Sequence, residues 1–252
     1  MLKLLRKILI NTIGFDRYVR LASRTYLRLV GAGFLKNKYP ELFYLKQLIK
    51  PGYYCLDIGA NLGYYSTFLS KLAGKSGKVL AVEPIPDFQE IWKENVKLSG
   101  TDNLELYPYA LGSENTTIQM GTPERDGVLR HGLTKVVNSD TGQSETYGRT
   151  YDVPMRVPDE LFINLPRLDF IKCDVEGFEF QVFVNMQGTL RKFKPVIQTE
   201  LNGEQNRRQV TDLLTGLGYS AYILSEDIML VQCSADDVPS ASHSDFYFKV
   251  NQ

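Results

Sequence analysis

Cysteine and histidine are scarce in this chain, at three and two residues among 252. The cysteines, Cys55, Cys173 and Cys233, stand far apart, each within an apolar run. That spacing is neither a metal-ligand set nor a secreted disulfide framework, and it suits buried thiols in a reducing compartment. Long hydrophobic runs are missing as well. No stretch reaches the roughly 18–20 apolar residues needed to span a bilayer. The opening MLKLLRKILINTIGF is basic but has no uninterrupted apolar core and no small-residue cleavage site. It does not read as a signal peptide, and a cytoplasmic location is expected. Net charge is also lacking, with 29 Lys and Arg against 29 Asp and Glu. The balance hides an asymmetry, because residues 1–38 hold nine Lys and Arg against one acid, Asp16. A basic arm on an acidic body can meet an anionic surface or dock onto the body itself.

Residues 1–30 read as one helix, with Leu2, Leu5, Leu9 and Ile13 at helical spacing and Lys3, Arg6 and Lys7 between them. Two uses are open for it: packing on the domain or a partner subunit, or lying at the inner face of an anionic membrane. No basic-aromatic platform follows, so a nucleic-acid partner is not expected. A short helix over 40–50 ends at the Pro51-Gly52 turn signal. Strands at 53–58, 78–83 and 104–110 then alternate with helices at 64–72 and 87–98. After a polar stretch, strands follow at 168–175 and 195–201, with helices at 178–190 and 204–216. Segments 219–224 and 228–233 read as an antiparallel pair, with 246–250 joining at the edge. The alternation predicts an α/β fold: a Rossmann-like, seven-stranded, mostly parallel sheet with an N-terminal helical extension. The expected division is an extension over 1–45 and a main domain over 46–252. Residues 112–160 form an insertion near the substrate site, read as a hairpin and a loop.

The strongest local signal is D-I-G-A-N-L-G-Y-Y-S at 57–66, between a strand and a helix. Gly59 and Gly63 allow a tight turn, and a side chain at either would fill space that a ligand could occupy. Glu83 closes the second strand, where a carboxylate can accept hydrogen bonds from both ribose hydroxyls. A dinucleotide site would need glycine where Asn61 stands. Asp57 just before the loop disfavours a pyrophosphate and suits the ammonium and sulfonium of S-adenosylmethionine. A glycine-rich turn with no ligand is the bland alternative.

These segments, with A-V-E-P-I-P, A-L-G, L-D-F-I-K-C-D-V-E-G-F-E and P-V-I-Q-T-E-L after the loop, resemble the FkbM family of methyltransferases in order from about residue 53 to 201. The resemblance implies a class I methyltransferase fold and methyl transfer from S-adenosylmethionine, mostly to hydroxyl oxygens of sugars, glycans or natural-product scaffolds. It also implies that Asp57, Gly59, Asn61 and Gly63 hold the methionine moiety and Glu83 the ribose. Pro84 and Ile85 would border the adenine, with Tyr109, Ala110 and Leu111 on its other side. Residues 1–45 and those after 205 carry little of it.

Methyl transfer needs an aligned nucleophile, and an alcohol gains from a base near the methyl group. Asp174 and Glu176 are the candidate bases, with Glu200 at the next strand end as a third. Glu179 favours the N-terminus of the following helix as readily as it serves chemistry. Lys172 and Asp174 share a strand face. Three neighbouring carboxylates leave a divalent cation open, although no dense ligand motif supports a metal. His131, in V-L-R-H-G-L-T, reads either as a base or substrate ligand reaching over the site or as a surface-loop histidine. Arg125 and Arg130 beside it suit an anionic sugar. A glycan or small-molecule acceptor is the expected partner, and a homo-oligomer is left open. The competing readings are a non-catalytic scaffold of the same fold and a nicotinamide-dependent oxidoreductase.

Overall fold

The computed structural model describes residues 2–125, 128–137 and 146–250. In chain order its elements are α1 (Leu2–Ile13), α2 (Phe15–Gly31), α3 (Pro40–Leu48), β1 (Tyr54–Ile58), α4 (Tyr64–Ala73), β2 (Lys78–Val82), α5 (Pro86–Ser99), β3 (Leu104–Tyr107), β4 (Ala110–Leu111), β5 (Thr116–Arg125), β6 (Val128–Leu129), β7 (Lys135–Val136), β8 (Tyr147–Arg156), α6 (Pro158–Phe162), β9 (Phe170–Cys173), α7 (Glu179–Val184), α8 (Gln187–Phe193), β10 (Val196–Glu200), α9 (Glu204–Gly216), β11 (Tyr219–Leu224), β12 (Leu230–Gln232) and β13 (Asp245–Val250).

Among the described residues, eight strands form the main sheet in the order β12-β11-β13-β10-β9-β1-β2-β3. The run from β10 to β3 is parallel throughout. A parallel sheet must be covered on both faces, and side chains of successive residues point to opposite faces. Thus Leu56, Leu80, Ile171 and Ile197 pack with Val182, Phe183, Leu190 and Val210 of the helices on one face. Cys55, Val79 and Phe170 pack with Leu42, Leu45 and Leu69 of α3 and α4 on the other. This is the expected Rossmann-like class, with β12 as an eighth strand beyond seven.

Several expected boundaries shift, each for a local reason. The single helix over 1–30 is broken at Gly14, whose φ of 83° is open to glycine and strained for other residues. The expected side-chain stripe at Leu2 and Leu5, with Lys3 and Lys7, lies outside the residues whose side chains are described. The strand expected over 104–110 stops at Tyr107, where Pro108 has no N–H to offer the ladder. Ala110 and Leu111 instead pair with Met155 and Arg156 in a second sheet, β4-β8-β5-β6, with β7 also on β5. The long β5–β8 hairpin of that sheet fills most of the insertion over 112–160, while residues 126–127 and 138–145 lie outside those described. The helix over 178–190 is two helices, because Asp159 caps a new N-terminus by accepting from the N–H groups of Gly188 and Thr189 at 2.8 and 2.7 Å. Finally, β13 is not at the edge. Phe246, Tyr247 and Phe248 are fully buried, and the strand pairs with β10 on one side and β11 on the other.

The N-terminal helices are joined to the rest. Val19 of α2 is buried against Leu62, Ile85 and Phe88, and Arg20 and Arg24 pair with Glu94 of α5. Arg149 of β8 bridges Asp16 and Asp87 at 2.9 and 3.0 Å. All three cysteines are free. No helix among the described residues is long and apolar enough to cross a membrane.

Candidate active site

A cavity of about 350 Å³ opens at the carboxyl ends of β1, β2, β9 and β10, where open α/β sheets bind ligands. It is lined by Asp57 near the end of β1 with Gly59 and Asn61 after it, by Glu83, Pro84 and Ile85 after β2, by Asp174 and Glu176 after β9, and by Glu200 at the end of β10. Met120, His131 and Thr134 of the second sheet's segment line it from the insertion side. The structure therefore brings together most of the expected site residues. Gly63, Tyr109, Ala110 and Leu111 are not in the lining, and neither are Arg125 and Arg130. Ala110 is buried in β4, and Arg156 stacks over the Tyr109 ring at 5.1 Å.

The glycines of the 57–66 loop are required by the protein's own packing, which corrects the expectation that they clear room for a ligand. A Cβ on Gly59 would stand 1.9 Å from the main-chain oxygen of Asp174, and one on Gly63 would stand 2.8 Å from the Trp92 ring. Both have positive φ, 79° and 85°. The loop is thereby pressed against β9 and α5, with the main-chain N–H groups of Gly59 and Ala60 both donating to Val82.

Glu83 is 3% exposed and ties this loop to the next. Its two carboxylate oxygens accept from the N–H groups of Asn61 and Ile85. Burial raises its pKa to about 7 despite these bonds. Asp57 sits at the floor, raised to about 6 by burial, and accepts from the Ser66 hydroxyl at 2.5 Å. Ser66 in turn accepts from the Trp92 indole N–H at 2.9 Å. This chain fixes β1, α4 and α5 to one another. Ser66 belongs to the recognised loop segment, whereas Trp92 carries no local sign of its role.

The strand register builds a second feature under the cavity. Asp57 pairs with Lys172, Lys172 with Gln198 and Gln198 with Tyr247, so one row of polar side chains crosses four strands. Burial opposes the charge on Lys172, but Asp174, Asp245 and Glu200 surround it and raise its pKa overall. Its ammonium lies 3.5 Å from Asp174 and 5.1 Å above the Tyr65 ring. Glu176 stands at the mouth with φ of 53°, in the left-handed region. Burial, then the charges of Asp174 and Glu200, push its carboxyl up to about 8. Glu200 is raised by burial and Asp174. Glu179 is structural: it is buried and accepts from the N–H groups of Val175 and Gly177.

His131 is not a surface-loop residue. It packs against Phe88 with ring centroids 6.0 Å apart, and burial lowers its pKa to about 4. It is therefore neutral near pH 7, and its Nδ1 is buried without a hydrogen-bond partner. Among the described residues, no group of three or more His, Cys, Asp and Glu converges as a metal site.

The donor set fits S-adenosylmethionine. Carboxylates at the Asp57–Asp174 end suit a sulfonium and an ammonium. The N-terminus of α4 carries no side-chain cap and suits a carboxylate. The Oδ1 of Asn61 is buried with no partner within the protein, an acceptor waiting for a donor.

A family model described as the methyltransferase FkbM domain matches residues 57–222. Over 58 residues the chain is 34% identical to protein-L-isoaspartate O-methyltransferase 2 of Archaeoglobus fulgidus, a stretch covering 23% of this chain and 26% of that protein. The solved structure of an S-adenosylmethionine-dependent O-methyltransferase from Thermotoga maritima is 14% identical, with a TM-score of 0.48, over 84% of this chain and 66% of that one. That of methyltransferase FkbM from Methylobacillus flagellatus KT is 13% identical, with a TM-score of 0.46, over 93% of this chain and 60% of that one. The chain thus spans about a quarter of the curated relative and less than two thirds of each of these two structures.

Proposed function

This chain belongs to the FkbM methyltransferase family, and on that premise we propose that it moves the methyl group of S-adenosylmethionine to a hydroxyl oxygen of a saccharide or similar polyhydroxylated acceptor. The observation that carries the reading is the carboxylate cluster of Asp174, Glu176 and Glu200 at one side of the cavity. The bound cofactor supplies a methyl carbon made electrophilic by its sulfonium. Glu83 holds the ribose, and Asn61 with the α4 N-terminus holds the methionine end. Glu176, with its pKa near 8, accepts the hydroxyl proton as the oxygen–carbon bond forms and the carbon–sulfur bond breaks. S-adenosylhomocysteine would be the second product. Lys172 pairs with Asp174 at 3.5 Å and holds that carboxylate at the cavity. The insertion residues Met120, His131 and Thr134 select the acceptor and exclude water from the cavity.

The test is transfer of labelled methyl to a panel of glycans, lipid-linked sugars and hydroxylated natural products. An alkali-stable methyl ether is the expected product. An alkali-labile methyl ester would move the acceptor to a carboxylate, and an N-methyl product would move it to an amine. Binding of S-adenosylhomocysteine with no turnover of any acceptor would favour the scaffold.

A further inference from the structure

A second and larger hollow, about 650 Å³, lies between α2 and the side of the molecule formed by α4 and α5. Its floor is apolar, with Leu27 and Val30 from α2 and Phe68 and Leu72 from α4. Its rim is basic, with Arg24, Arg28, Lys46 and Lys71, and no acidic side chain lines it. Arg24 is answered by Glu94 at 3.2 Å, whereas Arg28 and Lys71 form no ion pair among the described residues.

Several exposed apolar side chains gather on the same side, whereas Met229 and Val231 stand apart, just before and within β12. Leu98, 57% exposed, lines the hollow itself. Phe34, 77% exposed, follows Gly33 of its lining and precedes the exposed cations Lys36 and Lys38. Leu21 stands in one outward stripe of α2 with Arg17, Arg24 and Arg28, at i, i+4, i+7 and i+11. The opposite face of α2 is spent on the domain, through Val19, Ser23 and Val30. Residues 1–38 carry the excess of positive charge, so the remainder of the chain is net negative. A polyanion such as nucleic acid would use the cations but would leave Phe34, Leu21 and Leu98 in water. A lipid interface uses both kinds of group.

We propose that this face docks the protein on an anionic phospholipid bilayer. Phe34 and Leu21 enter the headgroup region, Arg28, Lys36 and Lys71 meet lipid phosphates, and the hollow receives apolar lipid. The net-negative body is repelled by the same surface, which favours one orientation. Tyr64 is a wall of both this hollow and the active-site cavity. Docking therefore holds the active site near the lipid surface, whichever acceptor is methylated.

The experiment is co-sedimentation of the full chain with phosphatidylcholine vesicles, with and without about one third phosphatidylglycerol. Thermal unfolding checks that each variant is folded. The chain should pellet with the anionic vesicles and stay in solution with the neutral ones. Reversing two cations in Arg28→Glu/Lys71→Glu should weaken binding roughly tenfold or more. Phe34→Ser should weaken it severalfold with charge unchanged, and Arg208→Glu on α9 should bind as the parent does. Equal binding to both vesicle types, or an undiminished Arg28→Glu/Lys71→Glu variant, would overturn the proposal. So would competition by duplex DNA combined with parental binding of Phe34→Ser, because that pair of results assigns the face to a polyanion.

Discussion

One carboxylate oxygen of Glu83 accepts the main-chain N–H of Asn61 at 2.7 Å, and the other accepts that of Ile85 at 2.8 Å. The acid expected to hold a ribose thus also clasps the two loops that frame the cavity. Each oxygen keeps a further lone pair for a ligand hydroxyl. Glu83→Ala orphans two main-chain donors and two ribose hydroxyls, at ~1–3 kcal/mol for each group left unpaired. Thermal unfolding should show a lower Tm, and calorimetry with S-adenosylhomocysteine should show binding weakened tenfold or more by the same order of energy. Glu83→Gln retains one acceptor oxygen and should fall between the two. An unchanged affinity in Glu83→Ala would remove the residue from the ribose site.

Gly59→Ala tests the packing origin of the loop. The new Cβ would meet the Asp174 main-chain oxygen, and a φ of 79° adds backbone strain. The oxygen belongs to main chain tied to β1, since the Asp174 N–H donates to Ile58 at 3.0 Å, so the clash has no soft partner to move aside. The strain alone is of order 1–3 kcal/mol, and the steric overlap adds to it. The variant should lose stability even with no ligand present. If thermal unfolding of the cofactor-free variant matches the parent while affinity drops, the glycine serves the ligand instead.

Much of the main sheet is legible in the sequence because buried parallel strands write themselves as short apolar runs. Val79–Val82 and Phe170–Cys173 are read by that rule, and the acids at the ends of β1 and β2 mark where the cavity opens. The miss at Gly59 has a different origin: the atom that forbids a side chain belongs to Asp174, 115 positions away, and nothing within the loop reports it. Trp92 is invisible for the same reason. The place of β13 is set by its need for two neighbours, a property of the assembled sheet. Tyr109 and Ala110 are assigned to the site by the position of the third strand's end, but Pro108 turns the chain into the second sheet before it reaches the cavity. His131 is legible as a candidate only because it is one of two histidines in the chain and falls in the insertion. Its burial against Phe88 follows from the β5–β8 hairpin, whose pairing spans residues 116 to 155.

The raised carboxyls make stability depend on pH in a defined direction. Burial holds Glu83 near 7 and Glu176 near 8, against ordinary values of 4.5. The folded chain therefore keeps these protons to higher pH than the unfolded chain. Their contribution is complete below the unfolded value and is lost as pH rises through the folded values. His131 acts in the opposite sense, being depressed from 6.5 to about 4, so its contribution is lost as pH falls below 6.5. Between about pH 6.5 and 8 the two acids act without it. The cofactor-free protein should melt at lower temperature at pH 8 than at pH 6.5. A ligand that pairs with the ionised carboxylates should raise Tm more at pH 8. Calorimetric scans with and without S-adenosylhomocysteine would read both effects, and a Tm rising across this interval in the free protein would contradict the assignment.

Glu176→Gln separates chemistry from architecture better than a change at Asp174. Asp174 is 3.5 Å from the buried Lys172, so Asp174→Asn removes a partner from an ammonium that has lost its water and should cost stability as well as turnover. Glu176 has no cationic partner within ion-pair distance among the described residues, and glutamine keeps its size and backbone. The neutral amide cannot take a proton. Turnover should fall by roughly 10²–10⁴, the usual worth of a general base, while S-adenosylhomocysteine affinity and Tm stay close to the parent. In the parent, kcat/KM should climb with pH and level off above about 8, as the free carboxyl ionises. That limb should vanish in Glu176→Gln. Its persistence with full turnover would pass the proton to Asp174 or Glu200, and Glu200→Gln, which leaves the Lys172–Asp174 pair in place, would then decide between them.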